Sequence, residues 1–197
     1  MLDKFSKLIK PYITLSEEEL NFIKSKVPLK VHKKNDVIFR EGKISRTIYF
    51  VLDGCVRLYY NVDGVEKTAF FYLEGKFICA GESFTHNKKA TENYQAIEDS
   101  ALMHFDKDVI EEMLQKFPRL GVIGQIATEE ELISCQKMIA SFVTKSPEQR
   151  YLELLASKSE LFQRAPQQYI ASFLGVSPET LSRIKKRITA KAKNIRS

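Results

Sequence analysis

The chain of 197 residues is 44% hydrophobic, 28% charged and 11% aromatic, a composition typical of a globular protein that can bury a core. Its longest apolar runs, 48–52 and 69–73, contain five residues each, far fewer than the ~20 that a membrane span requires, and residues 1–10 lack the apolar core of a secretory signal. The three cysteines are widely spaced, so we expect neither a disulfide framework nor a Cys-x-x-Cys metal motif. A reducing cytoplasm is the expected location, with no membrane partner.

Positive charge is concentrated near the carboxyl end. The formal net charge is +6, yet residues 144–197 contain 11 Lys and Arg against 4 Asp and Glu, whereas residues 1–143 contain 20 against 21. A basic segment on a near-neutral body indicates a polyanionic partner, either nucleic acid or an anionic membrane surface. A solvated helix face would give the same asymmetry, so charge alone does not decide between these alternatives.

Two local patterns divide the first hundred residues. Residues 1–27 favour short helices, with Ser16 as an N-cap before three glutamates. Beyond them, short runs rich in β-branched and aromatic residues alternate with turn signals such as Asp53-Gly54 and Asp63-Gly64, and Asp-Gly is typical of tight β-hairpins. The predicted strands are 29–32, 37–39, 47–52, 55–61, 65–72, 77–78, 93–96 and 101–105. This pattern predicts an antiparallel β-roll or barrel.

From residue 106 onward the hydrophobic spacing is helical. We expect one helix before Pro118 and a long helix over about 119–142, whose apolar stripe is interrupted by the polar run 128–131. The long helix fits either an ordinary packing helix or a dimer seam; we favour the seam, although periodicity alone does not decide. Ser146 and Pro147 then predict the start of another helix.

Residues 167–184, QQYIASFLGVSPETLSRI, have the pattern of a helix-turn-helix. Two steeply crossed helices approach closely, which requires a small residue such as Ala171 at the crossing. Gly175 can end the first helix in a left-handed conformation, while Ser177 caps the second helix and Pro178 presets its first φ angle. The apolar positions expected to pack inward include Leu181 and Ile184.

The outward face of the second helix is suited to the DNA major groove. Arg183 can donate two hydrogen bonds to guanine and Glu179 can accept one from cytosine, so these residues and Ser182 are the candidate base-reading residues. Backbone phosphates would be met by hydroxyl groups and amino groups around this helix. The candidates for these contacts are Ser177, Thr180, Lys185, Lys186, Arg187 and Lys191. A helical hairpin with a basic surface is the alternative, which the agreement of so many patterned positions disfavours.

The order of these parts resembles the Crp/Fnr family of bacterial transcription regulators, through the roll segment 39–60, the long helix and the motif at 175–184. The resemblance implies an α+β fold with a cyclic-nucleotide-binding-like sensor domain at 1–117, a cupin-like double-stranded β-helix. A dimerisation helix at 118–143 and a helix-turn-helix domain at 144–197 would follow.

The same resemblance implies partners. They are a second copy of the chain, duplex DNA with a near-palindromic operator, and RNA polymerase. The family's base-reading Glu and Arg match Glu179 and Arg183, but the Arg that commonly precedes that Glu is replaced here by Pro178, so one base contact is missing. The segment 157–166 is short for the β-hairpin wing of the family, so we expect a reduced or absent wing.

The sensor segment departs from members that bind cyclic AMP. An ungapped count from Gly75 puts Ala80 at the ribose-binding Glu and Ala90-Thr91 at the phosphate-binding Arg-Ser pair. Without the Arg fork a cyclic phosphate loses its bidentate partner, so tight cyclic AMP binding is not expected, and an unidentified small-molecule effector stays open. A shifted loop could still attract an anion. The candidate effector residues are Gly75, Glu82, Ser83, Lys88, Lys89 and Thr91.

An enzyme reading is the main alternative, because β-rolls also host metal-dependent oxygenases. Such enzymes need clustered His and carboxylate ligands, and His32, His86 and His104 share no His-x-His spacing. Neighbouring acids such as Glu111 and Glu112 do not face each other on a helix. We therefore expect no catalytic residues and no metal site. A third reading is a regulator whose roll is filled by aromatic side chains and takes no ligand.

Overall fold

The computed structural model describes the backbone of residues 1–194 and the side chains of residues 1–190. Helices α1 (Leu2–Ile9) and α2 (Glu17–Lys26) lead into the roll and contribute to its outer core. Helix α2 begins with a capping box, in which Ser16 Oγ accepts from the Glu19 N–H and the Glu19 carboxylate accepts from the Ser16 N–H. These bonds satisfy two backbone donors that a helix start leaves unpaired.

An antiparallel β-roll follows, as the sequence predicts. Within the described residues its strands are β1 (Leu29–His32), β2 (Val37–Phe39), β3 (Thr47–Asp53), β4 (Val56–Val62), β5 (Val65–Tyr72), β6 (Phe77–Ile78), β7 (Asn93–Ala96) and β8 (Ser100–Asp106). They form two sheets, in the orders β1-β8-β3-β6 and β2-β7-β4-β5. The β4–β5 turn has positive φ at Asp63 and Gly64, the conformation for which Asp-Gly is favoured.

Side chains of β3 contribute alternately to two separate hydrophobic cores. Successive side chains of a strand point to opposite faces, so Phe50 and Leu52 pack with α1 and α2, whereas Tyr49 and Val51 point into the roll. Both faces of β3 are therefore buried, which explains why this strand reads as a continuous apolar run rather than an alternating one.

The next helices connect the roll to the carboxyl-terminal part. Helix α3 (Gly81–His86) interrupts the roll, and α4 (Lys107–Lys116) and a 3₁₀ turn (Pro118–Leu120) precede the long α5 (Gly121–Thr144). Ile123 is the residue of α5 that is buried, while Leu132, Ile139 and Val143 are 58%, 64% and 78% exposed.

The carboxyl-terminal part is helical throughout its described residues. It contains α6 (Pro147–Ser157), α7 (Leu161–Arg164), α8 (Gln167–Phe173) and α9 (Pro178–Asn194). Helix α7 lies within the segment 157–166, which was expected to be too short for a β-hairpin wing. The described residues after β8 form no strand. None of the described helices combines the length and hydrophobicity that a membrane crossing requires.

Candidate nucleic-acid interface

Helix α8, the turn 174–177 and α9 form the helix-turn-helix. Gly175 has a φ of +69°, a conformation that costs little without a Cβ atom. The Val176 N–H donates to the Ala171 carbonyl (3.0 Å) and the Gly175 N–H donates to the Ser172 carbonyl (2.9 Å). This pair of bonds is a Schellman motif, which ends a helix abruptly and allows the chain to turn.

A small apolar core holds the two helices at their crossing. Ala171 and Leu181 are fully buried, and Ile170, Leu174 and Ile184 are nearly so. Since helices that cross this closely leave no room for a large side chain, Ala171 at the contact has a steric reason.

The start of α9 presents polar groups to solvent. Ser177 Oγ accepts from the Thr180 N–H (3.2 Å), and Arg183 Nη2 donates to Thr180 Oγ1 (3.1 Å). Glu179 and Arg183 are both exposed. Hydrogen bonding from Ser177 lowers the pKa of Glu179, with a smaller contribution from the Arg183 charge. Glu179 is therefore ionised at neutral pH, as a hydrogen-bond acceptor for a base must be.

The predicted phosphate-contacting side chains have different environments. Lys186 is exposed, Ser182 is half-buried, and the Lys185 ammonium lies 5.7 Å from the centre of the Phe162 ring. Arg187 forms an ion pair with Glu148 of α6 (2.5 Å). The Lys191 side chain lies outside the described residues.

Helix α8 also packs along β5, the edge strand of its sheet. The backbone N–H of Thr68 in β5 donates to Ser172 Oγ (2.9 Å), and the rings of Phe71 and Phe173 are 5.4 Å apart. A free sheet edge has unpaired donors, and α8 satisfies one of them here. The sequence did not indicate this contact. Phe71 was one of the aromatic residues expected to fill the roll, but it packs with the carboxyl-terminal helices instead.

Arg57 of β4 forms the centre of this contact. Its side chain is fully buried, and its guanidinium lies between the rings of Tyr59 (4.2 Å) and Tyr169 of α8 (3.6 Å). Hydrogen bonds go from Arg57 to Gln95 and to Thr68, and an ion pair joins it to Glu66. A buried guanidinium needs such partners, because desolvation of an unpaired charge is costly.

Arg164 joins α7 to the roll. Its guanidinium donates to Glu74 (2.7 Å) and to Glu98 (2.5 Å), and all three side chains are largely shielded from solvent. Burial acts to raise the pKa of Glu74, but the hydrogen bonds from Arg164 outweigh it and the net pKa lies below the usual value. The helix-turn-helix is thus attached to the roll by polar as well as apolar contacts.

The candidate effector residues do not surround one pocket. Glu82 is paired with Lys88 (2.6 Å), Thr91 bonds to its neighbour Glu92, and Ser83 is buried, where its Oγ accepts from the Ser45 N–H. Lys89 is exposed, and Gly75 lies on another side, beside Leu8. The buried residues of the roll interior include Tyr49, Tyr72 and Tyr94.

Two of the histidines approach each other, which their spacing in sequence did not suggest. The Nε2 atoms of His32 and His104 are 3.3 Å apart and their rings are stacked. Burial, Lys30 and His32 lower the pKa of His104 to about 4. In the described residues no third His, Cys, Asp or Glu joins them in a group that could hold a metal ion.

The three most exposed apolar residues of α5 lie on one face, whereas Ile133, which is 48% exposed, lies about 100° away from it. At 100° per residue, Leu132, Ile139 and Val143 fall within a narrow stripe, flanked by Cys135 and Phe142, and each of the three is more than half exposed. Thr128, Leu132, Cys135, Ile139 and Phe142 alternate at spacings of four and three residues. This is the spacing of a two-stranded coiled-coil seam.

Comparisons with known proteins agree with this architecture. Residues 29–117 match the family model for the cyclic nucleotide-binding domain. The regulatory protein HlyX of Actinobacillus pleuropneumoniae is 28% identical in an alignment 196 positions long that covers 91% of this chain and 79% of HlyX. The fumarate and nitrate reduction regulatory protein of Vibrio cholerae is 25% identical, covering 91% of this chain and 76% of that protein.

Among solved structures, a CooA mutant from Carboxydothermus hydrogenoformans superposes with a TM-score of 0.71 at 18% identity, over 89% of this chain and 82% of that one. At this identity the likeness concerns the fold. A β-roll joined through a long helix to an exposed helix-turn-helix is the architecture of regulators that have a sensor-like domain followed by a helix-turn-helix domain. Residues 29–117 therefore match a cyclic nucleotide-binding domain, and the chain as a whole is similar to regulatory proteins of the Crp/Fnr type.

Proposed function

We propose that this regulator binds duplex DNA sequence-specifically as a homodimer, without tight binding of cyclic AMP and without enzymatic activity. Its working parts are the sensor roll at 1–117, the dimerisation helix at 118–143 and the DNA-binding domain at 144–197. Because chromosomal DNA is the proposed partner, the protein works in the cytoplasm. The observation that carries the proposal is the exposed start of α9, where Glu179 and Arg183 face solvent above a fully packed crossing of α8 and α9.

Base reading is assigned to Arg183, Glu179 and Ser182. The planar fork of Arg183 fits guanine O6 and N7, and Glu179 accepts from cytosine N4. Ser177 and Thr180 at the helix start, together with Lys185, Lys186 and Lys191, contact phosphates. Arg187 can contribute only if its ion pair with Glu148 opens, so we assign it a smaller share.

Dimerisation is assigned to the apolar stripe of α5. Three aliphatic side chains on one face of a helix are more than half exposed, and burying them against a second copy removes that apolar surface from water. Two parallel α5 helices would bring two copies of α9 into successive major grooves, about 34 Å apart. A near-palindromic operator follows from that symmetry.

The experiment is selection from random duplexes with the wild-type protein and with three variants. Arg183→Ala is expected to lose about 1–3 kcal/mol and to relax one base position. Arg183→Lys keeps the charge but not the bidentate fork, so it should lose the same base preference with a smaller loss of overall affinity. Lys186→Ala should weaken all sequences equally and reduce the salt slope by about 1.

Two outcomes would contradict the assignment. Loss of affinity with an unchanged consensus in Arg183→Ala would remove Arg183 from base reading. Failure of the wild-type protein to bind any duplex at low salt would remove DNA as the partner. For the dimer, Ile139→Glu should sediment as a monomer, while Ser134→Glu on the opposite side of α5 should remain dimeric; a dimer in both would place the interface elsewhere.

A further inference from the structure

Thr180 and Arg183 are joined by a hydrogen bond at the start of α9. Arg183 Nη2 donates to Thr180 Oγ1 (3.1 Å), and residues three apart are neighbours on the surface of a helix. Arg187, the other arginine of α9, is paired with the Glu148 carboxylate instead. A neutral hydroxyl is a weaker partner than a carboxylate, so Thr180 can direct the Arg183 guanidinium without neutralising its charge.

The oxygen that accepts this bond is fixed relative to the helix backbone. Ser177 Oγ accepts from the Thr180 N–H (3.2 Å) and also lies 3.3 Å from Thr180 Oγ1. A β-branched side chain has few χ1 rotamers in a helix, and Thr180 is half-buried. Thr180 therefore gives the exposed Arg183 a partner whose position is set by the cap of α9 rather than by solvent.

The contact with Thr180 leaves Arg183 able to bind a guanine. A guanidinium has five N–H donors in a planar fork, and Nη2 contributes one donor to each of two edges, shared with Nε and with Nη1. Whichever of these two donors Thr180 accepts, the other edge keeps both of its donors. Guanine O6 and N7 require one such pair, so base reading does not require Arg183 to leave Thr180.

Orientation of Arg183 before binding affects base preference rather than general affinity. Ordering a long exposed side chain at an interface lowers affinity by roughly two- to tenfold, and a side chain that is already oriented avoids part of this loss. Arg183 becomes ordered only where it meets a guanine, so the benefit is confined to sequences that contain that base. A phosphate contact, by comparison, strengthens binding to every sequence.

We propose that Thr180 is a positioning residue for base reading, whose hydroxyl orients the Arg183 guanidinium before DNA is bound. The inference rests on the proposed function and adds to it, because a phosphate contact by Thr180 would not affect the choice of base. The preference for guanine should therefore depend on two side chains, of which only Arg183 touches the base.

Thr180→Val removes the hydroxyl group but keeps the branched shape and the N–H that donates to Ser177. The assay is competition binding of the full-length protein to its selected operator and to operators changed at the position that depends on Arg183. The preference for guanine at this position should fall about two- to tenfold. Thr180→Ser retains a hydroxyl and should recover most of the preference, and urea unfolding checks that each variant is folded.

A double-mutant cycle separates positioning from a phosphate contact. In Arg183→Ala there is no guanidinium to orient, so adding Thr180→Val should not alter the relative affinities for the different bases at this position. A loss shared by all sequences in both backgrounds measures the phosphate contact alone. Unchanged base preference in Thr180→Val, together with such a uniform loss, would overturn the positioning role.

Thr189→Val is the matched control, because it makes the same change on the same helix. Thr189 Oγ1 donates to the Lys185 carbonyl (3.0 Å), and the residue lies about 120° around the helix from Arg183, so the preference for guanine should not change. A fall equal to that of Thr180→Val would attribute the effect to α9 as a whole and would contradict the proposal.

The orientation of Arg183 can also be observed without DNA. NMR relaxation at Arg183 Nε measures the motion of this side chain on the picosecond-to-nanosecond timescale. Its order parameter should fall in Thr180→Val but not in Thr180→Ser or Thr189→Val. Equal order parameters in the wild type and in Thr180→Val would refute the proposal.

The outcomes distinguish this inference from the proposed function. If the wild type selects an operator, Arg183→Ala loses the guanine preference and Thr180→Val keeps it unchanged, only the positioning role fails. If the wild type ignores every duplex at low salt, the proposed function fails and this inference fails with it.

Discussion

The contact between Tyr169 and Arg57 is expected to hold the helix-turn-helix on the roll. The Arg57 guanidinium is fully buried and lies 3.6 Å from the centre of the Tyr169 ring; a desolvated cation–π contact contributes about 2 kcal/mol. Tyr169 is half-buried, so truncation also removes roughly 1 kcal/mol of apolar burial. Tyr169→Ala should therefore weaken the docking by about 2–3 kcal/mol, whereas Tyr169→Phe keeps the ring and should change it by less than about 0.5 kcal/mol.

The Thr68 amide provides a local measurement of this docking. Its N–H donates to Ser172 Oγ across the contact, so amide hydrogen exchange at Thr68 reports separation of α8 from β5. In Tyr169→Ala this exchange should accelerate by about 30- to 150-fold, the equivalent of 2–3 kcal/mol, while Tyr169→Phe stays near the wild type. Unchanged protection of Thr68 together with a loss of global stability would refute the reasoning, because Tyr169 would then support α8 itself rather than its docking.

Three further predictions concern the turn at Gly175, the proposed dimer contact of α5 and the buried histidine His104. Gly175→Ala places a Cβ within 2.8 Å of Phe142 at a φ of +69° and should lower the free energy of unfolding, measured in urea, by about 1–3 kcal/mol. The double variant Gly175→Ala/Phe142→Ala should recover the share of this loss that comes from the clash, but not the share that comes from the positive φ. Unchanged stability of Gly175→Ala would contradict the prediction. A mild oxidant should link two chains through Cys135, which lies beside the exposed stripe of α5 that is proposed as the dimer seam. Cys135→Ser but not Cys55→Ser should abolish the linked band on a non-reducing gel. His104 has a folded-state pKa of about 4, below the ~6.5 of an unfolded histidine, so the unfolded chain binds the proton first and His104 alone should lower stability by about 1 kcal/mol between about pH 7 and pH 5.5. In urea titrations His104→Leu should reduce the slope of stability against pH and leave the part due to His32, whose pKa burial also lowers; an unchanged slope would refute the assignment.

The strands and the helix-turn-helix were predictable because local chemistry specifies them. Asp63-Gly64 can adopt positive φ at both residues, which fixes a hairpin whatever lies around it. Likewise the turn after α8 needs Gly175, and the start of α9 needs Ser177 and Pro178. In each case the preferred backbone conformation depends on a few neighbouring residues, so a short stretch of sequence is enough to predict it.

The contacts between distant segments were not predictable in this way. His32 and His104 lie on the paired strands β1 and β8, but the residue opposite His32 is Ser100. The contact between the two rings therefore depends on the shape of the closed roll and not on a local pattern. The stacking of Arg57 on Tyr169 depends on where α8 docks, and both residues look like ordinary surface positions of an alternating strand and a helix.

The same contacts determine how the sensor and the helix-turn-helix can influence each other. Phe142 near the end of α5 touches the site of Gly175, and Arg150 lies 4.5 Å over the Phe142 ring while donating to the Leu174 carbonyl. Glu131, which accepts from the Tyr72 hydroxyl of the roll, is 11 residues earlier, about 16 Å along the same helix. A change in the roll can therefore reorient α9 only to the extent that it favours one position of α5 over another. Any such shift must be accommodated at the Phe142 contact, because the Arg57 and Arg164 contacts hold the other side of the domain to the roll.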